Sequence, residues 1–226
     1  MKAEKLKLAI LFSGGKDSCL ALHKALEKGH EIVCLLSILP ETTDSFMFHK
    51  PDLRLLKQQT KELDIPLIIQ KSKGEEDKEL EDLKKLIKKV RKKIDGICVG
   101  GIASSYQGNR VKKICSELGL KFYAPLWDYS AEQLWKELLD NKFKVIMTKI
   151  ACEGISKEFL GKIIDWESFE KLKKLSEKFK FDLTGEGGDF ETAVLFMPEF
   201  KKEIKISFDV KSEGSYRHFL SIKKII

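Results

Sequence analysis

Residues 7–18 of the chain are KLAILFSGGKDS, and this stretch decides the fold. Its apolar run from Lys7 to Phe12 is typical of a buried strand, and the amphipathic pattern from Cys19 to Lys28 is typical of a helix. Between them, two adjacent glycines allow a sharp turn whose N–H groups face an anion, next to the positive end of the helix dipole. The pattern therefore predicts a phosphate-binding loop between a strand and a helix.

The side chains of this loop supply charge and metal ligands as well as a turn. Lys16 carries a mobile positive charge that suits a phosphate, and the Asp17 carboxylate is a natural Mg²⁺ ligand beside one. Asp17 and Ser18 also suit the cap of the next helix, so a capped turn without a ligand is the plain alternative. We expect the whole loop to bind a nucleotide through Ser13, Gly14, Gly15, Lys16, Asp17 and Ser18.

The spacing of the loop separates it from two commoner nucleotide loops. A Walker A loop has a glycine and four further residues before its Gly-Lys-Ser/Thr, and a dinucleotide fingerprint needs G-x-G-x-x-G. Neither pattern occurs at this strand end. The string Ser-Gly-Gly-Lys-Asp-Ser instead resembles the PP-loop of the N-type ATP pyrophosphatases. This resemblance implies that ATP is cut between its α and β phosphates and that the loop holds the pyrophosphate.

The composition limits the class of protein. The 226 residues carry 42 Lys+Arg against 35 Asp+Glu, which gives a net charge of +7. Five scattered cysteines without C-x-x-C spacing argue against a disulfide framework and a zinc site, and they favour a reducing compartment. We find no signal peptide and no apolar run long enough to span a bilayer, so we expect a cytoplasmic protein that does not contact the membrane.

The positive charge is spread over helix faces, such as the run of basic residues between Lys84 and Lys93. A solvated helix face is the plain interpretation of such a run. A docking surface for RNA or for an acidic protein is the sharper interpretation.

The order of the predicted elements indicates an α/β fold. Strands of nearly unbroken apolar character alternate with helices up to about Pro125, which predicts a parallel sheet sandwiched by helices. The remainder is predicted to be a smaller α+β domain, so we place an ATP-binding domain at residues 1–125 and a substrate-binding domain at 126–226. Ligands of parallel sheets bind beyond the carboxyl ends of the strands, where Ser37 and Gly100 are expected to line the nucleotide site.

A loop after the second strand combines aromatic, thioether and polar side chains. Aromatic faces hold quaternary ammonium groups, and a histidine bonds to a carboxylate or shuttles a proton. A hydrophobic plug is the alternative. We expect a substrate wall formed by Ser45, Phe46, Met47, Phe48 and His49.

A second polar segment follows the fourth strand. Gly100 and Gly101 permit a flat base to approach the backbone, and Arg110 suits a carboxylate or phosphate. An ordinary capped helix is the alternative. The residues expected to face substrate in this segment are Ser104, Tyr106, Gln107 and Arg110.

The third segment, residues 185–192, interleaves three glycines with three carboxylates and suits neither a helix nor a strand. An acidic surface turn is one interpretation. We favour a tight loop that completes a Mg²⁺ site with Asp17 or binds ammonium. We assign the metal to Asp17 and Glu186, catalysis to Lys16, Asp17, Glu186 and Glu191, and substrate contacts to Gly187, Gly188, Asp189 and Thr192.

With these segments in this order, the chain resembles the diphthine-ammonia ligase family, archaeal and eukaryotic enzymes of the last step of diphthamide synthesis. The resemblance covers nearly the whole chain and rests on residues 13–18, 45–49, 104–110 and 185–192. It implies a PP-loop fold of the adenine nucleotide α hydrolase-like, HUP type. Asp189 stands where the family pattern has Glu, so the charge is kept and the reach is shorter.

The resemblance implies an ATP-dependent amidation of diphthine on elongation factor 2, with ammonium as the nitrogen donor and AMP and pyrophosphate as products. An acyl-adenylate intermediate suits this reaction, since a carboxylate itself resists attack by ammonia. The loop, Lys16 and Mg²⁺ would stabilise charge on the leaving pyrophosphate. Arg110 and His49 are implied to orient the carboxylate, and Phe46, Phe48 and Tyr106 to contact the trimethylammonium group.

Two other functions stay open at this point. A PP-loop enzyme that adenylates tRNA would use the basic helix, but the chain lacks the paired cysteines of thiolating enzymes, so we do not expect a nucleic-acid partner. A non-catalytic ATP-sensing module is the other function. A homodimer is compatible with the resemblance, because PP-loop enzymes are often dimers.

Overall fold

A computed structural model describes residues 4–40, 52–73, 76–101 and 105–226, with the side chains of 76, 77 and 105–107 outside the description. The internal contacts divide the chain into two compact units. The first comprises Met1–Ser13 and Asp17–Asp128, and the second comprises Tyr129–Ile226 together with the three loop residues Gly14–Lys16.

The first unit is built on a five-stranded sheet in the order β3-β2-β1-β4-β5, in which every pair of neighbours is parallel. Its strands are β1 (Lys7–Leu11), β2 (Glu31–Pro40), β3 (Leu67–Ser72), β4 (Gly96–Cys98) and β5 (Lys121–Tyr123). The central strand β1 is buried between two neighbours, which is why its sequence is apolar almost throughout rather than alternating.

Helices cover both faces of this sheet. They are α1 (Lys16–Glu27), α2 (Leu53–Leu63), α3 (Glu76–Val90) and α4 (Ser105–Glu117), and a 3-10 turn at Arg91–Lys93 follows α3. Ala9 and Ile97 pack on one face with the apolar sides of α3 and α4. On the other face, the Cys98 thiol lies 3.8 Å from the backbone carbonyl of Ala21 in α1. The predicted parallel sheet sandwiched by helices is thereby confirmed.

The second unit contains a four-stranded antiparallel sheet in the order β7-β6-β9-β8. Its elements are α5 (Ala131–Asp140), β6 (Lys144–Ile150), α6 (Trp166–Phe179), β7 (Phe190–Phe196), β8 (Ile206–Glu213) and β9 (Arg217–Ile225). Helix α5 begins with a capping box between Ser130 and Gln133, and its buried face includes Trp135. The smaller α+β part predicted for the C-terminal half is confirmed as well.

Two element boundaries differ from the sequence prediction where it matters for the site. Helix α1 begins at Lys16 rather than at Cys19, so Asp17 lies in its first turn and does not cap it from outside. Strand β7 begins at Phe190, because Phe190 and Thr192 pair with Ile150 and Met147 of β6. The end of the predicted loop at 185–192 is therefore strand, held in place by its neighbour.

Candidate active site

Two serines close the loop that follows β1. The hydroxyl oxygens of Ser13 and Ser18 lie 3.2 Å apart, and the Ser13 N–H donates to the Ser18 hydroxyl at 3.3 Å. Ser18 is buried, whereas Ser13 is exposed. The loop is therefore tied to the first turn of α1, whose N-terminus supplies the positive end of a helix dipole.

Gly100 is required by close packing against the same turn. A Cβ added to Gly100 would lie 2.6 Å from the backbone carbonyl carbon of Asp17 and 2.6 Å from the Ser18 nitrogen. At Gly101, no heavy atom of the described residues lies within 4 Å of such a Cβ. The segment after β4 therefore packs directly against the first turn of α1. Only glycine fits at position 100, a requirement that the sequence alone did not reveal.

Ser37 lies inside β2, three residues before its end at Pro40. The Phe12 N–H, just past the end of β1, donates to the carbonyl of Leu36 at 2.8 Å. Ser37 therefore lies level with the point where β1 ends and the loop begins, at the edge of the sheet where ligands of this fold bind.

Within the second unit, the loop residues Gly14–Lys16 lie along the outer edge of β7. The Val194 N–H donates to the Gly14 carbonyl at 3.0 Å, and the Lys16 N–H donates to the Thr192 hydroxyl at 3.2 Å. Gly14 has a φ of 76°, which suits only glycine without strain. These bonds fix the backbone of the loop at the position of its lysine.

The Lys16 side chain contacts residues of the second unit. Its ammonium donates to the Thr184 carbonyl and lies 5.7 Å from the centre of the Phe190 ring. Lys16 is 2% exposed, so the charge expected to serve a phosphate is buried. The mobile positive charge expected from the sequence stays a prediction, and the contacts with Thr184 and Phe190 show where this charge lies in the structure.

The turn that carries Thr184 is braced by hydrogen bonds of its own. The Asp182 carboxylate accepts from both the N–H and the hydroxyl of Thr184 at 2.7 Å, and the Asp182 N–H donates to Asp189 at 2.7 Å. The buried indole of Trp135 donates to the Leu183 carbonyl at 2.8 Å. This bracing directs the Thr184 carbonyl to Lys16.

Asp182 and Trp135 were missed by the sequence analysis. The Asp-x-Thr pattern is a signal for such a side-chain turn and could have found Asp182. Trp135 lies on the buried face of α5, where a tryptophan in an amphipathic helix gives no signal of a site. Glu186, the predicted metal ligand, is half-buried at the start of the short 3-10 turn Glu186–Gly188, and its N–H donates to the Thr184 hydroxyl at 3.2 Å.

Asp189 and the two glycines before it shape the end of this turn. Asp189 uses its side chain to accept from Asp182 and its carbonyl to accept from the Ala151 N–H at 2.7 Å. Gly187 and Gly188 have φ values of 82° and 90°, which only glycine adopts readily. Gly187, Gly188 and Asp189 therefore shape the backbone of the turn, in addition to the substrate contacts that we predict for them.

Glu191 forms an ion pair that the sequence did not reveal. Lys149 of β6 lies directly opposite Glu191 in β7, and its ammonium is 2.8 Å from the carboxylate. Alternate residues of a strand point to opposite faces, so Glu191 lies on the face opposite to Phe190 and Thr192, which contact Lys16. Only the register of the two strands brings Lys149 into this position.

Several predicted substrate residues lie outside the described part of the chain. These are Ser45, Phe46, Met47, Phe48, His49 and Ser104, and likewise the side chains of Tyr106 and Gln107 on α4. Arg110 is described and lies half-buried on α4. The described residues contain no group of three or more His, Cys, Asp or Glu side chains placed to hold a metal ion.

Four of the five cysteines are poor nucleophiles, because the pKa of each thiol is raised. Burial raises the pKa of Cys115 to about 11. Burial and the nearby Asp189 charge raise the pKa of Cys152 to about 11. Burial also raises the pKa of Cys34 and Cys98.

Within the described ranges, no helix is long and apolar enough to cross a membrane.

The parallel sheet and the Gly-Gly-Lys loop that leaves its central strand define a nucleotide-binding α/β protein of the PP-loop class. Residues 6–122 match the diphthamide synthase N-terminal domain, and residues 130–226 match the diphthamide synthase C-terminal domain. The chain therefore belongs to the diphthamide synthase family, a family of carbon–nitrogen ligases, and the resemblance found in the sequence is confirmed.

Curated relatives carry the same family assignment. The chain is 35% identical to the diphthine–ammonia ligase of Schizosaccharomyces pombe over 89% of this chain and 36% of that protein. It is 33% identical to the diphthine–ammonia ligase of Mus musculus over 89% of this chain and 83% of that protein. For the Homo sapiens diphthine–ammonia ligase, the identity is 32% over 96% of this chain and 92% of that protein. The chain thus spans a minor part of the fission yeast protein and most of the mammalian ones.

A solved structure described as a predicted subunit of tRNA methyltransferase from Methanocaldococcus jannaschii covers 88% of this chain and 99% of its own. The TM-score is 0.42 and the sequence identity 16%, a likeness too distant to bear on function.

Proposed function

We propose that this protein amidates the carboxylate of diphthine on elongation factor 2 with ammonium and releases AMP and pyrophosphate. The observation that carries the proposal is the match of both halves of the chain to diphthamide synthase domains, with the lysine of the PP-loop bonded to the Thr184 carbonyl just before the third motif segment. We further propose that the protein acts in the cytoplasm. The proposed activity does not depend on whether the protein is a monomer or a homodimer.

The proposed reaction has two steps, each with balanced products. A carboxylate oxygen of diphthine attacks the α phosphorus of ATP, and the bond to the β-phosphate oxygen breaks to release pyrophosphate. Ammonia then attacks the acyl carbon, AMP leaves, and the nitrogen loses a proton to give the amide. Adenylation is needed because a free carboxylate is too poor an electrophile for ammonia.

The residues of the PP-loop serve the first step. The loop from Ser13 to Ser18 binds the β and γ phosphates at the N-terminus of α1, where the helix dipole favours negative charge. Lys16 exchanges the Thr184 carbonyl for phosphate oxygens and stabilises the charge that develops on pyrophosphate. Gly100 and Gly101 follow the end of β4, and Ser37 of β2 lies level with the end of β1. We place the nucleoside beside these residues.

We propose that Mg²⁺ accompanies the nucleotide. Mg²⁺ in nucleotide enzymes commonly uses one or two carboxylates and completes its octahedron with phosphate oxygens and water. Asp17, in the first turn of α1, and Glu186, in the braced turn, are the carboxylates that we assign to it. Their chemistry fits the ion, which when bound would neutralise charge on the phosphates.

The remaining site residues are assigned to the carboxylate substrate. We propose that Arg110 and His49 orient the carboxylate and that aromatic residues of segments 45–49 and 104–110 contact the trimethylammonium group. Gly187, Gly188 and Asp189 are assigned to the same substrate. Glu191, predicted as catalytic, is paired with Lys149, and we propose that it acts through this pair rather than at the reacting atoms.

The test is an incubation of purified protein with Mg-ATP and ammonium, with and without diphthine-bearing elongation factor 2. AMP, pyrophosphate and the mass of the factor are followed together. We expect AMP and pyrophosphate in equal amounts, together with the small mass loss that accompanies conversion of a carboxylate to an amide. Lys16→Met should abolish turnover. Lys24→Met is the matched control, because Lys24 lies on the same helix and pairs with Glu27 at 2.9 Å.

The other outcomes decide against parts of the proposal. AMP formation without a change in the factor would overturn the substrate and direct the search to tRNA or small carboxylates. Binding of ATP without turnover under any condition would favour an ATP sensor. Amide formation with glutamine but not with ammonium would contradict the proposed nitrogen donor.

A further inference from the structure

The third motif segment and the residues that flank it, Thr184 and Val194, contact the loop residues 14–16 within the second unit. Two contacts reach the loop backbone, from Val194 and Thr192, and two reach the Lys16 ammonium, from Thr184 and Phe190. The segment that the sequence assigned to substrate and metal is thus in direct contact with the phosphate-binding lysine. These contacts position the loop backbone and the Lys16 ammonium.

The contacts to the loop backbone follow from the position of β7 in its sheet. β7 is an edge strand, with β6 on one side, and its Val194 N–H on the other side donates to the Gly14 carbonyl at 3.0 Å. Thr192 lies two residues earlier in the same strand. Its hydroxyl reaches the Lys16 N–H at 3.2 Å, so one strand edge fixes both ends of Gly14–Lys16.

We propose that Thr192 is a positioning residue for Lys16 and hence for the phosphates of ATP. Its hydroxyl holds the Lys16 backbone in place while the side chain moves from the Thr184 carbonyl to a phosphate. This role is additional to the substrate contact expected for Thr192 from the sequence, which stays a prediction. The inference rests on the proposed function only in that the PP-loop binds ATP.

The acceptor can be removed with little change in shape. Thr192→Val keeps the β-branched volume, which suits the strand, and deletes the hydroxyl that accepts from Lys16. Because a hydrogen bond to a partly buried backbone N–H is lost, we expect ATP to bind about tenfold more weakly. Thr192→Ser keeps the hydroxyl and should bind ATP within about twofold of the wild type. Thr148→Val, on the neighbouring strand β6, is the matched control and should have no effect.

The measurement is the Kd for ATP by calorimetry on the full chain without any carboxylate substrate, followed by steady-state kinetics. Thr192→Val should raise the Kd and the KM for ATP and leave the KM for the carboxylate substrate unchanged. Unchanged ATP affinity in Thr192→Val, or a loss confined to the carboxylate substrate, would overturn the inference. If Thr192→Val does not fold, Thr192→Cys, a weak acceptor, is compared with Thr192→Ser instead.

This design separates the inference from the proposed function. Wild-type protein that fails to bind ATP would contradict the PP-loop assignment itself. Wild-type protein that binds ATP without acting on elongation factor 2 would contradict only the proposed substrate, and the Thr192 comparison would still decide the inference.

Discussion

The hydroxyl of Thr192 accepts a hydrogen bond from the backbone N–H of Lys16 at 3.2 Å, although 176 positions separate the two residues. The bond joins the first and the last motif segments of the chain. A phosphate-binding loop is commonly explained by its own glycines and the helix that follows. Here the loop also depends on a strand edge from the far end of the sequence, so changes in β7 should alter nucleotide binding.

The packing of Gly100 against α1 predicts a specific effect of a single methyl group. In Gly100→Ala, the new Cβ would lie 2.6 Å from backbone atoms of Asp17 and Ser18, which cannot rotate away. The first turn of α1 must shift, so we expect the free energy of unfolding to fall by about 1–3 kcal/mol. ATP affinity should fall with it, because the phosphate loop moves too. Urea denaturation and ATP calorimetry are the measurements.

Gly101→Ala provides the matched control for this substitution. No described heavy atom lies within 4 Å of a Cβ at Gly101, so the same change one residue later should leave the free energy of unfolding nearly unchanged. A similar loss of stability in both variants would show that strand flexibility, and not the contact with Asp17 and Ser18, explains the effect.

The ion pair between Lys149 and Glu191 makes a prediction about stability and activity together. The side chains are 28% and 18% exposed, so the pair lies between a surface and a buried ion pair. We expect Lys149→Met and Glu191→Gln each to lower the free energy of unfolding by about 1–2 kcal/mol. The double variant should lose less than the sum, with a coupling of at least about 0.5 kcal/mol. A denaturation cycle checks this.

Turnover in the same variants decides what Glu191 does. If Glu191 acts through the pair, kcat should fall by a similar factor in Lys149→Met and Glu191→Gln. Loss of turnover in Glu191→Gln alone, with near wild-type kcat in Lys149→Met, would instead make Glu191 catalytic, as its motif first indicated.

The sequence predicted the fold well because the decisive signals were local. The apolar run before Ser13 and the repeated strand–helix order specify a parallel sheet, since apolar strands between helices are stable only when both faces are covered. Single boundaries were harder. The glycines before Phe190 obscured the start of β7, which is set by pairing with Ile150 and not by local propensity.

The site was only partly predictable, for a related physical reason. The residue types of the PP-loop indicate their chemistry directly, so Lys16 and Asp17 could be named from the sequence. The partners of Lys16 could not, because Thr184 accepts through a backbone carbonyl that any residue has. Lys149 is opposite Glu191 only by strand register, and register is not visible in a single sequence.

The raised pKa of Cys152 predicts how this thiol reacts. Burial and the Asp189 charge raise its pKa to about 11, so only about one thiol in a thousand is ionised at pH 8. Labelling by a thiol reagent should therefore be slow at pH 8 and rise about tenfold per pH unit up to the pKa. Asp189→Asn removes the nearby charge and should speed the labelling of Cys152. The labelling that is lost in Cys152→Ser is the part that belongs to Cys152. Rapid labelling of Cys152 at pH 7 would contradict this account.

The basic helix predicted from the sequence is α3, which packs on one face of the first unit's sheet through Leu83, Leu86 and Ile87. Lys84, Lys88 and Lys113 surround Glu117, and the Lys84 hydrogen bond is the largest cause of the lowered pKa of that carboxyl. Glu117 ends α4, one turn before β5 begins, so these lysines lie near the amino ends of the strands. A role in binding ATP is therefore not expected for them.

Reversing two of these charges tests the point without breaking the Lys84–Glu117 pair. Lys88→Glu with Lys113→Glu should leave the Kd for ATP within about twofold of the wild type, because charges separated by more than a Debye length are screened. The same variant is then compared with wild type for tRNA binding at low and high salt. Tight, salt-sensitive binding that the reversal removes would revive an RNA substrate, since neutralised phosphates release counterions. Weak binding by both proteins would leave these lysines as a solvated face.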